Sequence, residues 1–201
     1  MRFSIRDLVY IGVFGALWGA VEITGGSVVH VLNVPFSGVV LAGVGMAIAL
    51  IGRLFVPRRG SVLAIGIITA LLKMFSIGGI VITPMIGIFA ESLIAELVLT
   101  MLGRPRRASF LAAGAMATLW PFFHPFLTQG ILAGSGIFTI YQRTIQKGAQ
   151  TLGLPATAIL YVLAALIALH IVIGLAAGLL AWDAGRVIQA RLRPDVGERT
   201  T

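Results

Sequence analysis

The sequence is nearly bare of the residues on which water-soluble proteins rely. Only 11% of its 201 residues are charged and only 7 are Asp or Glu, against about a quarter charged in ordinary globular chains. So few charges cannot cover the surface of a soluble domain of this size, which excludes a cytosolic enzyme. Cysteine is absent altogether. That removes thiolate catalysis, iron–sulfur clusters, zinc–cysteine sites and a disulfide scaffold. The Gly-x-x-x-x-Gly-Lys-Ser/Thr loop is also missing, so the chain has no phosphate-binding motif with which to drive ATP-powered transport itself. What fills the sequence is apolar: 58% of residues are hydrophobic and the mean hydropathy is +1.02, which rules out a disordered tail. This is the composition of a polytopic membrane protein.

Six apolar runs, at 8–30, 34–52, 61–77, 80–102, 108–125 and 156–182, are each near the roughly 20 residues a helix needs to cross the hydrocarbon core. They are long and continuous rather than strictly alternating, so helices are expected and a β-barrel is not. Gly and Pro punctuate most of the gaps, at Arg58-Arg59-Gly60, Gly78-Gly79, Gly103-Arg104-Pro105 and Leu154-Pro155. The fold class expected is an all-α integral membrane protein of six transmembrane helices. Residues 1–185 form the membrane domain and 186–201 a polar tail, frayed from Asp183 onwards.

Charge sets the orientation. Of the 15 Lys and Arg, 12 flank the same side of the spans: Arg2, Arg6, Arg53, Arg58, Arg59, Arg104, Arg106, Arg107, Arg186, Arg191, Arg193 and Arg199. Arg143 and Lys147 fall on the other side and Lys73 inside a span. The positive-inside rule then puts both termini in the cytoplasm of a multi-pass cell-membrane protein. The formal charge of +8 is thus a topology and lipid signal, not a nucleic-acid patch. The basic start and apolar first run would suit a secretion signal, but Glu22 interrupts the run and no small-x-small cleavage site follows. The segment 126–155 is too polar to span. In it Ile137, Tyr141, Ile145 and Leu152 share one helical face while Gln142, Arg143, Gln146, Lys147 and Gln150 lie largely on another, as in an interfacial helix or lid; a plain loop is the alternative.

The informative residues are those a bilayer penalises. Glu22, Lys73, Glu91 and Glu96 lie within apolar runs, and His30, His124 and His170 lie near or inside them. A charge at the bilayer centre costs about 2.5–3.5 kcal/mol on insertion scales, so such residues face the protein interior or a water-filled cavity. The topology places Glu22, Lys73, Glu91 and His124 in the outer half of four different helices, where they can converge. Trp18 and Glu22 share a face at i,i+4, as do Trp120 and His124, and Gly87, Glu91 and Ala95. Trp and His beside carboxylates can stack on and hydrogen-bond a flat heterocycle. Competing readings are an interhelical ion pair for Lys73 or Glu96, an aromatic belt for Trp120 and Trp182, and packing for His170. Three intramembrane glutamates facing one lysine suit a cationic or donor-rich ligand, or a glutamate held neutral. No metal or cofactor is called for.

The first run carries small residues at Gly12, Gly15, Ala16, Gly19 and Ala20, a spacing that lets helices approach closely. At about 100° per residue, Ala16 and Ala20 lie on average about 140° from Glu22. One helix thus offers a ligand-facing stripe and a smooth docking stripe, unless the latter packs within its own bundle.

Six apolar runs, about 200 residues, cytoplasmic termini and Ala16-x-x-x-Ala20 together resemble the substrate-binding S component of energy-coupling factor (ECF) transporters. Ala16-Leu-Trp-Gly-Ala-Val-Glu22 followed by Asn33-Val-Pro-Phe-Ser37 looks like members of that fold. The resemblance implies a subunit, not itself an enzyme, that captures a small water-soluble vitamin or precursor from outside. Capture would occur beneath loops at about 30–36, 77–80 and 126–155, where Asn33, Gln129 and Tyr141 are further candidate contacts. It also implies docking through Ala16 and Ala20 onto a transmembrane coupling subunit driven by two ATPase subunits, and toppling to release the substrate. Thiamine-binding members place a carboxylate on helix four and a histidine near helix five, which Glu91 and His124 match. Their polar contact on helix six has no counterpart here beyond Thr157 and Tyr161, so a related pyrimidine or another vitamin stays open.

Two other classes compete. Rhomboid proteases have six spans with a Gly-x-Ser-Gly turn and a late histidine. This chain has Ala133-Gly134-Ser135-Gly136 and His170, but the turn follows the fifth span and Ser135 is badly matched in depth to His170. A stand-alone proton-coupled transporter suits the intramembrane carboxylates, although no inverted repeat or paired broken helices are evident.

Overall fold

The computed structural model describes residues 3–31, 36–76, 82–132, 134–155 and 157–192, apart from the side chains of 27–31 and 132. Among them the chain is helical, with turns between helices and no strand. The helices are α1 (Ile5–Val31), α2 (Ser37–Phe55), α3 (Ser61–Lys73), α4 (Ile82–Leu102), α5 (Arg107–Thr118), α6 (Trp120–Pro125), α7 (Ile137–Leu152) and α8 (Ile159–Arg191). A π-helical segment, Phe126–Leu132, follows α6. Five stretches are long and apolar enough to cross a membrane: Ile5–Gly26, Ser37–Phe55, Ile82–Leu102, Arg107–Ile131 and Ile159–Arg191. Large apolar side chains such as Val13, Leu17, Val44, Val172 and Leu180 stand exposed on the outer helix faces, where lipid rather than water would cover them.

The expected 61–77 run forms a helix of only 13 residues, about 20 Å at 1.5 Å per residue. It tightens at its end, where Met74, Phe75 and Ser76 donate backbone bonds to the carbonyls of Leu71, Leu72 and Lys73. Three more expectations need correction. Residues 183–191, expected to be frayed, are helical: α8 runs on through the 185/186 boundary to Arg191, and Gln189 Nε2 donates to the Leu54 carbonyl at 2.5 Å. The fifth run is longer than 108–125, reaching Ile131, and is interrupted at Leu119 and turns π-helical after Pro125, where Pro121 and Pro125 lack the N–H groups a continuous helix needs. On α7, Ile137 and Leu152 are exposed, and the buried stripe is Ile140, Ile145, Gly148 and Ala149.

Helix ends fall where the chain supplies capping chemistry. Ser4 and Asp7 cap α1 reciprocally, the Ser4 N–H donating to Asp7 Oδ2 at 2.8 Å and the Asp7 N–H to Ser4 Oγ at 3.2 Å. Gly153, at φ +66°, closes α7 while the Leu154 N–H reaches back to the Ala149 carbonyl.

The helices close into a ring in the order α1, α2, α8, α5, α4, α3, with α7 lying on α8. The α5–α8 seam is the tightest. A Cβ on Gly114 would strike the Gly174 carbonyl, and one on Gly178 the Phe110 carbonyl. Backbone is therefore packed on backbone, as small residues permit in membrane bundles. Thr118 Oγ1 ties the seam by donating to the His170 carbonyl at 2.8 Å.

One end of the ring is rich in arginine and its buried charges are paired, with Arg53 Nε alone among their described polar atoms buried without a hydrogen-bond partner. Arg53 and Glu96, both buried, form an ion pair at 3.2 Å between α2 and α4. Glu96 also accepts the Val62 N–H at 3.0 Å and the Thr100 hydroxyl at 3.1 Å. Arg53 donates to Ser61 Oγ at 3.1 Å and to the Arg58 carbonyl. Arg58 pairs with Asp7 at 2.9 Å, and Arg107 with Asp183 at 3.1 Å. Glu96 is thus a strut, tying the start of α3 to α2 and α4.

Both features predict stability effects, read from thermal unfolding of the detergent-solubilised protein. Gly114→Val, which forces backbone apart, should cost about 1–3 kcal/mol or more, whereas Gly12→Ala, where a Cβ meets nothing within 4 Å, should cost nothing. Glu96→Gln, by stranding Arg53 in the interior, should cost about 3–5 kcal/mol. The double change Arg53→Met/Glu96→Met should cost less than Glu96→Gln alone.

Candidate functional site

At the opposite end the polar groups are arranged differently. Glu22 comes from the second half of α1 and Lys73 from the last turn of α3, and both are buried. Lys73 Nζ donates to the Glu22 backbone carbonyl at 2.6 Å and lies 3.4 Å from its Oε2. Gly26, one turn beyond Glu22, leaves room for the ammonium: a Cβ there would sit 3.2 Å from Nζ. This ion pair joins two helix ends and leaves Lys73 with one glutamate.

Glu91, on α4, has no such partner. It is 6% exposed, and among the described residues its carboxylate makes no hydrogen bond or ion pair. Among the described residues, the charge that acts on it is that of Glu22, which is of the same sign. One turn before it, Gly87 forms a gap: a Cβ there would lie 3.5 Å from His124 Cε1, 3.6 Å from His124 Nδ1 and 3.9 Å from Glu91 Oε1. Carboxylate and imidazole therefore flank one small space, kept open because residue 87 has no side chain. Thr83, a further turn back on the same face, brings its backbone against the His124 ring.

The fifth span sets the other wall. Pro121 and Pro125 bracket the short helix α6, which carries Trp120 and His124 one turn apart. The two rings stack, with centroids 5.9 Å apart and planes 29° from parallel. Below them the π segment begins, with Thr128 Oγ1 donating to the His124 carbonyl at 3.0 Å. Trp120 Nε1 and His124 Nε2 are both buried without a hydrogen-bond partner. Buried polar atoms are almost always paired, and each exception calls for an explanation. Here two unpartnered nitrogens and one unpartnered carboxylate lie on adjoining residues of two helices.

The structure thus brings Glu22, Lys73, Glu91, His124 and Trp120 together from four segments. It does not bring Trp18 to an open wall. That indole is fully buried in the core against the Gly45 backbone of α2, with its Nε1 unpartnered, because α2 lacks a side chain there to hold it off. Gln129 is exposed and Tyr141 half-buried, and neither side chain hydrogen-bonds the cluster. Asn33 and the loop expected at 77–80 lie outside the described residues; of the loop expected at 30–36, α1 takes up the first two residues, running to Val31, and 32–35 lie outside them. His170 is buried, its Nδ1 at 2.7 Å from the Leu166 carbonyl of its own helix and its ring edge-on to Phe122. No hydrogen bond joins it to Ser135 among the described residues. Sequence reasoning had no role for Thr83 and none for the gap at Gly87, although the i,i+4 spacing of Thr83, Gly87 and Glu91 was there to be read.

On α1 the small residues divide between two faces. Gly15 and Gly19 face inward, where a Cβ would lie 2.7 Å from Ile68 Cγ2 and 2.9 Å from Leu72 Cδ1 of α3. Ala16 and Ala20 are exposed on the outside of the ring with Val13 and Leu17.

No known protein family, no curated protein and no solved structure matches this chain.

A buried carboxylate that nothing pairs is a cost to the empty protein. Glu91→Gln should therefore raise the ligand-free unfolding midpoint in detergent. Glu22→Gln, which removes the counter-charge of Lys73, should lower it. A Glu91→Gln variant less stable than the parent would mean that the carboxylate has a protein partner after all.

Proposed function

We propose that this chain is the membrane-embedded, substrate-binding subunit of an importer, of the kind found as the S component of ECF transporters. On this reading α3 makes a sixth crossing, the arginine-rich end and both termini face the cytoplasm, and the chain resides in the cell membrane. A small water-soluble vitamin or precursor enters from outside between α1, α3, α4 and α6. The observation that carries the reading is the set of unpartnered groups at one place: the Glu91 carboxylate, His124 Nε2 and Trp120 Nε1. A flat ligand presenting both donors and acceptors, cationic or pyrimidine-like, would satisfy all three. The paired Trp120 and His124 rings offer it a face. Lys73 and Glu22 hold the ends of α1 and α3 around it.

The division of small residues on α1 supports the second half of the proposal. Gly15 and Gly19 are used within the bundle, and Ala16 and Ala20 remain for a transmembrane coupling subunit, itself driven by two ATPase subunits.

Native mass spectrometry of the solubilised protein should detect a small molecule that Glu91→Gln no longer retains. Ala16→Trp should keep that molecule bound yet abolish uptake in cells. Uptake that survives Ala16→Trp, or that persists in a host with no coupling subunit, would favour a transporter working alone through its intramembrane carboxylates.

A further inference from the structure

Arg143 and Lys147 are the two basic residues outside the spans that break the charge asymmetry of the chain, and both lie on α7. With Gln146 and Gln150 they follow i, i+3, i+4, i+7 spacing, so two cations and two amides form one stripe. All four side chains are exposed. None makes an ion pair or a side-chain hydrogen bond among the described residues.

No acid among the described residues neutralises the two cations. The sequence of α7, IFTIYQRTIQKGAQTL, contains no acid. The seven acids of the chain are Asp7, Glu22, Glu91, Glu96, Asp183, Asp195 and Glu198. Asp7, Glu96 and Asp183 are engaged at the arginine-rich end, Glu22 and Glu91 are buried in the candidate site, and the last two lie outside the described residues.

The rest of α7 fits a membrane surface. Its buried stripe packs on α8, with Gly148 closing against Val162 and Leu166. Ile137 and Phe138 at its start, and Leu160 and Tyr161 at the start of α8, stand exposed. Water suits these apolar groups badly, and hydrocarbon suits Arg143 and Lys147 badly. The boundary between headgroups and acyl chains suits both.

We propose that α7 is an anchor for anionic phospholipid, with Arg143 and Lys147 binding the headgroup phosphate while Ile137 and Phe138 enter the acyl region. The inference needs only a membrane around the bundle and stands apart from the nutrient-capture reading.

The cysteine-free chain allows a single environment-sensitive fluorophore at Thr139→Cys, an exposed position one turn before Arg143 on the same face. The labelled full-length protein is placed in nanodiscs of phosphatidylcholine containing increasing fractions of phosphatidylglycerol. The label should respond to phosphatidylglycerol, and Arg143→Gln/Lys147→Gln should raise the fraction needed for half the response by about ten-fold or more. Arg143→Lys, which keeps the charge, should retain most of the response. An equal signal in neutral and anionic discs, or a double variant that responds like the parent, overturns the proposal. So does a response to inorganic phosphate in purely neutral discs, which would mark a free-anion site instead.

Discussion

An ionised side chain placed among apolar helices must find a counter-charge, hydrogen bonds or trapped water, because the surrounding hydrocarbon and protein offer none of the solvation it loses. The two ends of this bundle answer that requirement in opposite ways. At the arginine-rich end, Glu96 collects Arg53 of α2, the Val62 N–H of α3 and the Thr100 hydroxyl of its own helix, so two of its links cross to other helices. At the other end, Lys73 satisfies Glu22 while Glu91 pairs with no described residue and feels the like charge of Glu22. Two glutamates on one helix, Glu91 and Glu96, thus have different physical standing. One holds the scaffold together, and the other is an unmet demand within it.

The scaffold makes that demand tolerable by being tight elsewhere. Along α5 and α8, Gly114, Gly174 and Gly178 bring backbone against backbone. Thr118 bridges the seam and Phe110 meets Trp182 edge-on at 5.2 Å. This rigid pair fixes where α5 ends, and the prolines that follow turn Trp120 and His124 towards α4. The absence of a side chain at Gly87 then leaves the space that Glu91 and His124 share. Small residues do two jobs in this molecule: most draw helices together, and Gly87 leaves a methyl-sized space beside Glu91 and His124.

How much of this the sequence discloses depends on how local the signal is. Apolar runs and Gly/Pro breaks place α1, α2, α4 and the start of α8 closely, since each is recorded in its own residues. The polar face of α7 is equally legible, and Gln142, Arg143, Gln146, Lys147 and Gln150 are exposed as their spacing requires. The convergence of Glu22, Lys73, Glu91 and His124 follows from depth and topology alone. Arg53 is different: following an apolar run, it reads as a loop charge, and only Glu96, 43 positions away, draws it inside and lets α2 continue to Phe55. Trp18 shares a face with Glu22, but whether that face meets a cavity or core is decided by Gly45 on another helix. The π segment after Pro125 left a trace in the paired prolines without revealing its geometry.

The central claim is that the Glu91 carboxylate, His124 Nε2 and Trp120 Nε1 lack partners among the described residues because a small molecule is their partner. A side-chain-resolution structure of the protein purified from nutrient-replete cells tests it most directly. The account predicts one compact ligand within hydrogen-bond distance of the Glu91 carboxylate, His124 Nε2 and Trp120 Nε1. Finding those three groups bonded instead to residues of the chain itself, with no space left between them, would contradict it.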